Sequence, residues 1–256
     1  MVANNPSITT EIIKILSKDE NEWVRSGIAS NPSTPQDILL DLAEEKDEER
    51  IRAYVAQNSS APSTALALLV KDSKESTREY AAKHPNLPKE LIIECANHKG
   101  KNASMRESAA ANPSLPLELI LNLAKDKNSN IRSAIAGNSS TPKETLKNLS
   151  KDKDFDVRRG VASNPEVNYE QLKELSSDED DSVKWYVAMN RNLSVDILEV
   201  LSKDKSARVR QGVARHSKSD AQILEQLASD KDESVRNYVA INPNTPITVL
   251  KEFAGF

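Results

Sequence analysis

The 256-residue chain contains one cysteine, three histidines, six glycines and only 4% aromatic residues. The single thiol, Cys95, excludes a disulfide framework and any cysteine-ligated cluster. His84, His98 and His216 stand far apart, and no His, Cys or carboxylate spacing matches a metal site or a nucleophile–base pair. No glycine-rich loop of the kind that cradles phosphates is present. An excess of one charge is missing as well. With 35 basic against 39 acidic residues the net charge is −4, which argues against bulk attraction to nucleic acid or an anionic membrane. No apolar run approaches membrane-spanning length, and Met1-Val2-Ala3-Asn4 does not open a signal peptide. These absences predict a soluble cytoplasmic protein without metal, cofactor or catalytic machinery.

What the chain does have is self-similarity. The segment from Val24 reads V-R-S-G-I-A-S-N-P-S-T-P and that from Val235 reads V-R-N-Y-V-A-I-N-P-N-T-P. Copies open at Val24, Ile51, Thr77, Met105, Ile131, Val157, Val183, Val209 and Val235, spaced 27, 26 and 28 residues apart and then 26 five times. Val2-Ala3-Asn4-Asn5-Pro6 is the tail of a further copy, so residues 1–23 form a partial repeat. A fixed period of this length predicts a single solenoid domain over residues 1–256, made of about ten stacked repeats.

Each copy encodes two short helices. Counting the opening residue as position 0, positions 0, +1, +4 and +5 (Val/Ile, Arg, Val/Ile, Ala) fall on one arc of about 140°, a helix face. Three residues earlier stands a cap former: Asn21, Asn102, Asn128, Asp154, Asp180, Ser206 or Asp232. Asn-Pro at +7 and +8 stops this helix, because a residue before proline avoids the α region. Thr34-Pro35, Thr141-Pro142 and Thr245-Pro246 then predict a second helix, with threonine as its cap, proline in its first turn, and Asp37 or Glu144 completing a capping box. Its apolar residues, such as Ile38, Leu39, Leu42 and Ala43, again share one face. The fold class is therefore all-α.

The pattern V-R-x-x-V-A-x-N-P-x-T-P-x-x-x-L-x-x-L-A-x-D resembles the leucine-rich repeat variant family over nearly the whole chain. Five or six positions recurring together make the motif specific. The resemblance implies a right-handed superhelix in which an α-helix alternates with a second short helix that can be 3₁₀ in character. The V-R-x-x-V-A portion also resembles HEAT repeats, which are longer and less marked by proline. Some leucine-rich variant proteins carry a cysteine-rich cluster module ahead of the repeats. No such segment occurs here, so no iron–sulfur role carries over, and the family implies no definite activity.

Arg25, Arg52, Arg78, Arg106, Arg132, Arg158, Arg210 and Arg236 hold position +1, with Lys184 in the remaining copy. A ladder of basic residues could bind phosphates. These lie inside the apolar arc, however, where a guanidinium needs a partner, and carboxylates recur at +21: Asp19, Glu45, Asp72, Asp126, Asp152, Asp178, Asp204 and Asp230. The expectation is an internal ion-pair ladder tying successive repeats. Asparagine at +7 (Asn5, Asn31, Asn58, Asn112, Asn138, Asn164, Asn190, Asn242), replaced by His84 and His216, is expected to bond backbone left open by the proline. His98 occupies a +21 place, while Cys95 and Met105 take core places.

Binding is then left to the positions that vary. Tyr54, Tyr80, Tyr186 and Tyr238 share position +3, with Gly27, Gly160 and Gly212 there in other copies. Arg159, Trp185 and Gln211 stand at +2, and Met189 and Arg215 at +6. Aromatic residues and arginine on an outward face anchor interfaces. Alternatively, large and small residues at +3 interlock between neighbours. The candidate function is a non-catalytic scaffold for a protein or peptide partner. The alternative is a HEAT-like nucleic-acid binder or an enzyme, of which glycosylases and lyases on such folds are the analogues. The array starts in mid-repeat and finishes on Phe253-Ala254-Gly255-Phe256 without a polar cap, which predicts a piece of a longer array or end-to-end self-association.

Overall fold

The computed structural model describes residues 2–98 and 103–255. Of the residues singled out above, the cap former Asn102 and the terminal Phe256 lie outside the described residues. The chain divides into two compact bodies, Met1–Ile120 and Leu121–Phe256. In the first, a 3₁₀ turn, Val2–Asn4, precedes α1 (Thr10–Leu16), α2 (Glu22–Ser30), α3 (Gln36–Ala43), α4 (Glu49–Gln57), α5 (Ser63–Leu69), α6 (Glu75–Lys83), α7 (Lys89–Ala96) and α8 (Ser104–Ala110). The chain leaves it through α9 (Leu117–Leu123). The second contains α10 (Ser129–Gly137), α11 (Lys143–Leu149), α12 (Phe155–Ser163), α13 (Tyr169–Leu175), α14 (Asp181–Ala188), α15 (Val195–Leu201), α16 (Ala207–Arg215), α17 (Ala221–Ala228), α18 (Glu233–Ile241) and α19 (Ile247–Phe253). No strand occurs among the described residues.

Even-numbered helices are the first helices of the repeats, and within each body an even helix packs on the even helix of the next copy. The series runs α2–α4–α6–α8 in one body and α10–α12–α14–α16–α18 in the other. The Val2–Asn4 turn packs on α2 as the remnant of an earlier copy. Odd helices form the second layer, wedged between successive even ones: α5 packs on both α4 and α6, and α17 on both α16 and α18. Helices of seven to nine residues are too short to persist alone in water, so their stability comes from this stacking. Ile51, Val55 and Ala56 of α4 and Leu66 and Leu69 of α5 are 0–1% exposed. Burial of each such Ile or Leu contributes about 1.5–3 kcal/mol.

The caps differ in part from expectation. Asn21, Asn128, Asp154, Asp180 and Asp232 each accept a backbone N–H from the first turn, whereas the side chain of Ser206 makes no cap bond to its own helix and turns to Asp181 instead. The second helices start one residue later than the threonine cap predicts. Pro35, Pro142 and Pro246 occupy the cap position itself, with extended ψ of 142–148°. The threonine hydroxyls turn the other way. Thr34, Thr141 and Thr245 donate to Ile28 O, Ile135 O and Val239 O at 2.5–2.7 Å, satisfying a carbonyl at the end of the preceding even helix. No capping box with Asp37 or Glu144 forms, because the threonine oxygen is no longer free for it. Asn168 and Gln171 make a capping box at the start of α13 instead. The odd helices are α-helices rather than 3₁₀, each of them seven or eight residues long. Met105 is only half-buried, not a core residue.

Candidate functional site

Two polar ladders run along the repeats, and both use the stacking period. In the first, Nε and Nη2 of four position +1 arginines take the carboxylate twenty residues on: Arg52–Asp72 at 2.5 Å, Arg132–Asp152 at 2.7 Å, Arg158–Asp178 at 2.6 Å and Arg210–Asp230 at 2.6 Å. Arg25 reaches Glu45 at 3.2 Å, and Lys184 reaches Asp204 at 2.6 Å. Nη1 of each arginine donates instead to the previous copy. Arg158 bonds Asp152 O at 2.9 Å and Arg210 bonds Asp204 O at 2.8 Å. Asp72, Asp152 and Asp230 thus join two repeats, by the carboxylate to their own arginine and by the carbonyl to the next. The carboxylate also accepts the N–H two residues on, as Asp178 does from Asp180 at 2.9 Å.

The charges respond accordingly. Bonds to Asp178 and Asp230 hold Arg158 and Arg210 above the ordinary arginine range. Arg132 and Arg210 hold Asp152 and Asp230 below the usual carboxylate range. At Asp72 burial acts upward, but Arg52 and the Lys74 amide outweigh it and the net shift is downward. Such paired, buried cations are not displayed to an outside phosphate.

In the second ladder the side chain at +7 spans two backbones. Asn164 donates to Ala136 O at 2.7 Å and Asn138 O at 2.9 Å, and accepts from Glu166 N at 2.8 Å. Asn58, Asn112, Asn190 and Asn242 bond the copies before them in the same way. His84 and His216 copy the arrangement with one donor fewer. Nδ1 accepts from Asn86 N or Lys218 N, which leaves the proton on Nε2 to reach Asn58 O or Asn190 O at 3.0 Å. Burial lowers both imidazoles.

Position +3 serves two purposes. A Cβ on Gly160 would lie 2.8 Å from the Ala136 Cβ and 2.9 Å from Ser133 O, and one on Gly212 would lie 2.8 Å from the Ala188 Cβ. Glycine there permits the close approach of adjacent even helices. The tyrosines at the same position reach the surface, with Tyr54 and Tyr80 exposed on α4 and α6 and Tyr186 and Tyr238 half-buried on α14 and α18.

In the second body these outward groups touch. The Trp185 and Tyr186 rings meet edge to face at 4.8 Å. The Arg159 guanidinium lies 5.5 Å from the Tyr186 ring centre, Arg208 lies 4.9 Å from that of Trp185, and Arg215 lies 5.0 Å from that of Tyr238. A cation over an aromatic face is attracted by the ring quadrupole, by about 0.5–1 kcal/mol at exposed sites. Each of the three cation–ring contacts joins consecutive even helices, so α12, α14, α16 and α18 carry one ridge. Beside it a groove of about 480 Å³ is walled by Trp185, Tyr186, Met189, Pro165 and Asn192. Gln211 is half-buried on α16. Tyr54 and Tyr80 lie in the first body and make no ring contact among the described residues. Arg208 was not among the residues singled out from sequence. It stands one residue before its repeat's opening valine, on the helix face of position +3 four residues later, and that spacing is the signal that points to it.

The fold and its ladders define an all-α helical-repeat protein. Among the described residues no helix is long and apolar enough to cross a membrane, and no group of three His, Cys, Asp or Glu is placed to hold a metal ion. The chain is similar to a solved leucine-rich repeat variant described as having a novel repetitive structural motif, at 23% identity over 93% of this chain and 89% of that one, with a TM-score of 0.47. It is also similar to YibA of E. coli, at 18% identity over 91% and 92% with a TM-score of 0.43, and to an engineered protein at 15% over 98% and 92% with a TM-score of 0.35. No family model and no curated protein sequence matches the chain.

Proposed function

We propose that the chain is a leucine-rich repeat variant protein that acts as a non-catalytic scaffold, docking a protein or peptide segment along α12, α14, α16 and α18. The observation that carries this reading is the interlocked ridge of Arg159, Tyr186, Trp185, Arg208, Arg215 and Tyr238 beside the Met189 groove. The recurring polar residues are engaged in joining repeats, whereas these side chains differ from copy to copy and stand outward. Aromatic rings pre-ordered by guanidinium stacking lose little side-chain freedom on binding, which favours them as anchors. The arginines suit a segment that presents carboxylates together with apolar side chains. A cytoplasmic setting accords with this role.

Panning a displayed random-peptide library against the protein tests the proposal. Enriched peptides are expected to carry acidic and apolar residues, and to lose binding at least about tenfold to the Trp185→Ala/Tyr186→Ala variant at unchanged helicity. Enrichment that survives this double substitution would remove the ridge as the site. Tight oligonucleotide binding with a steep salt dependence would favour the nucleic-acid reading instead.

A further inference from the structure

Along the arginine ladder the Nε–Nη2 edge of the guanidinium is closed by a carboxylate twenty residues on, bidentate at Arg132, Arg158 and Arg210. At Arg78 that place belongs to His98, whose exposed side chain makes no bond to it. The other edge of Arg78 is nevertheless held as elsewhere, with Nη1 donating to Asp72 O at 2.7 Å and Ser73 O at 2.9 Å. The guanidinium is therefore kept in the ladder orientation while its carboxylate-binding edge has no partner among the described residues. Arg78 and His98 line a cavity of about 300 Å³ whose apolar wall includes Val70, Cys95 and Met105. Burial pushes the Cys95 thiol up to about 11, so that wall stays uncharged.

We propose that this cavity binds a monocarboxylate bearing a short apolar group, with its carboxylate seated on Arg78 where Asp72 or Asp178 sits in other repeats. A planar guanidinium edge matches a carboxylate in bidentate fashion, and here the scaffold already orients it. The remaining charges set the class. Lys71 adds a second cation, but Glu75 and Glu94 also line the cavity, and Glu75 already accepts from Ser104 at 2.8 Å. The two cations and two glutamates cancel, so the open guanidinium edge takes a single negative charge at most, and a multiply charged anion such as phosphate is repelled by the two glutamates. The volume lies at the small end for ligand cavities and admits a short chain. The seat lies in the first body and does not depend on the aromatic ridge.

A carboxylate of this kind comes either from a small free acid or from the C-terminus of a peptide. Titrations of the whole protein with hexanoate, with the tripeptide acetyl-Ala-Ala-Leu as free acid and as amide, and with inorganic phosphate separate these. The readout is the Nε–Hε resonance of Arg78. Saturable shifts are expected with hexanoate or the free-acid peptide, at a dissociation constant of about 1 mM or tighter, and none with the amide or phosphate. The stronger of the two ligands identifies the source. His98→Asp rebuilds the ladder within the protein; it should raise the melting temperature and weaken binding at least about tenfold. Arg78→Lys, which keeps the charge but loses the forked edge, should weaken it similarly, as followed by the methyl resonance of Met105 in the cavity wall. Absence of a saturable shift, phosphate binding as tightly as the acids, or binding undiminished by His98→Asp would overturn the proposal.

Discussion

Replacing Asn164 by alanine strikes the second ladder at a fully buried point. The amide makes three bonds, donating to Ala136 O and Asn138 O and accepting from Glu166 N. Glu166 is exposed, so water can replace the lost acceptor there at little cost. Asn138 O keeps the Thr141 N–H at 3.0 Å, but Ala136 O lies between stacked repeats and loses the amide that bonds it. Stranding a buried acceptor costs about 1–3 kcal/mol, which puts Asn164→Ala at about 2 kcal/mol, a sizeable fraction of a domain's total stability. Histidine should cost no more than alanine, since at His216 an imidazole keeps the Nδ1 acceptor and the turn carbonyl Asn190 O while giving up the bond to the helix-end carbonyl. Urea titration followed by Trp185 fluorescence in a Trp23→Phe background measures both variants in the body that contains the change. A cost below about 1 kcal/mol for alanine, or histidine proving worse than alanine, would refute the bridging role.

Three further outcomes follow from particular atoms. Thr77 stands at an opening position filled elsewhere by Val, Ile or Met, is 0% exposed, and its hydroxyl has no hydrogen-bond partner among the described residues. Thr77→Val should therefore raise stability by about 1 kcal/mol in the same titration. Gly160→Ala places a methyl 2.8 Å from the Ala136 Cβ and should cost about 1–3 kcal/mol through overpacking, read as a lower melting temperature. Acid should act in two stages. His84 and His216 are depressed below 6.5 in the fold, so the unfolded chain takes up protons first, and stability falls as pH drops from 6.5 toward the folded values. Asp72, Asp152 and Asp230 are depressed below 3.8, and their contribution, complete above that value, is lost as pH falls beneath it. The His84→Asn/His216→Asn variant should abolish the first stage of a pH–melting curve and leave the second.

The helices and their buried faces were readable because period and patterning are local properties. Ile51, Val55 and Ala56 recur at helical spacing, and burial follows from that. The Arg158–Asp178 contact was also suggested by recurrence, since both positions repeat with the same period. What Asn164 bonds to was not readable, because its partners lie 26 and 28 residues away on a neighbouring copy and only stacking brings them close. Thr34 illustrates a different failure. Its chemistry fits a helix cap, but Pro35 takes that position and the hydroxyl serves the preceding helix. The contact of Arg208 with Trp185 likewise joins two copies at different positions within the repeat, so no single copy encodes it. Position +3 held two meanings at once, close approach at Gly160 and outward display at Tyr186, and the residue type alone decides which applies.

The central claim is that recurring polar side chains hold the repeats together while the variable outward ridge does not. A protease-resistance scan of every single alanine substitution across residues 121–255 tests it most directly. Alanine at Arg158, Asn164, Asn190, Arg210 or Asn242 is predicted to lower resistance sharply, whereas alanine at Arg159, Tyr186, Arg208, Arg215 or Tyr238 is predicted to leave it within about 0.5 kcal/mol of the parent. Ridge substitutions as damaging as those in the ladders, or ladder substitutions without effect, would contradict the account.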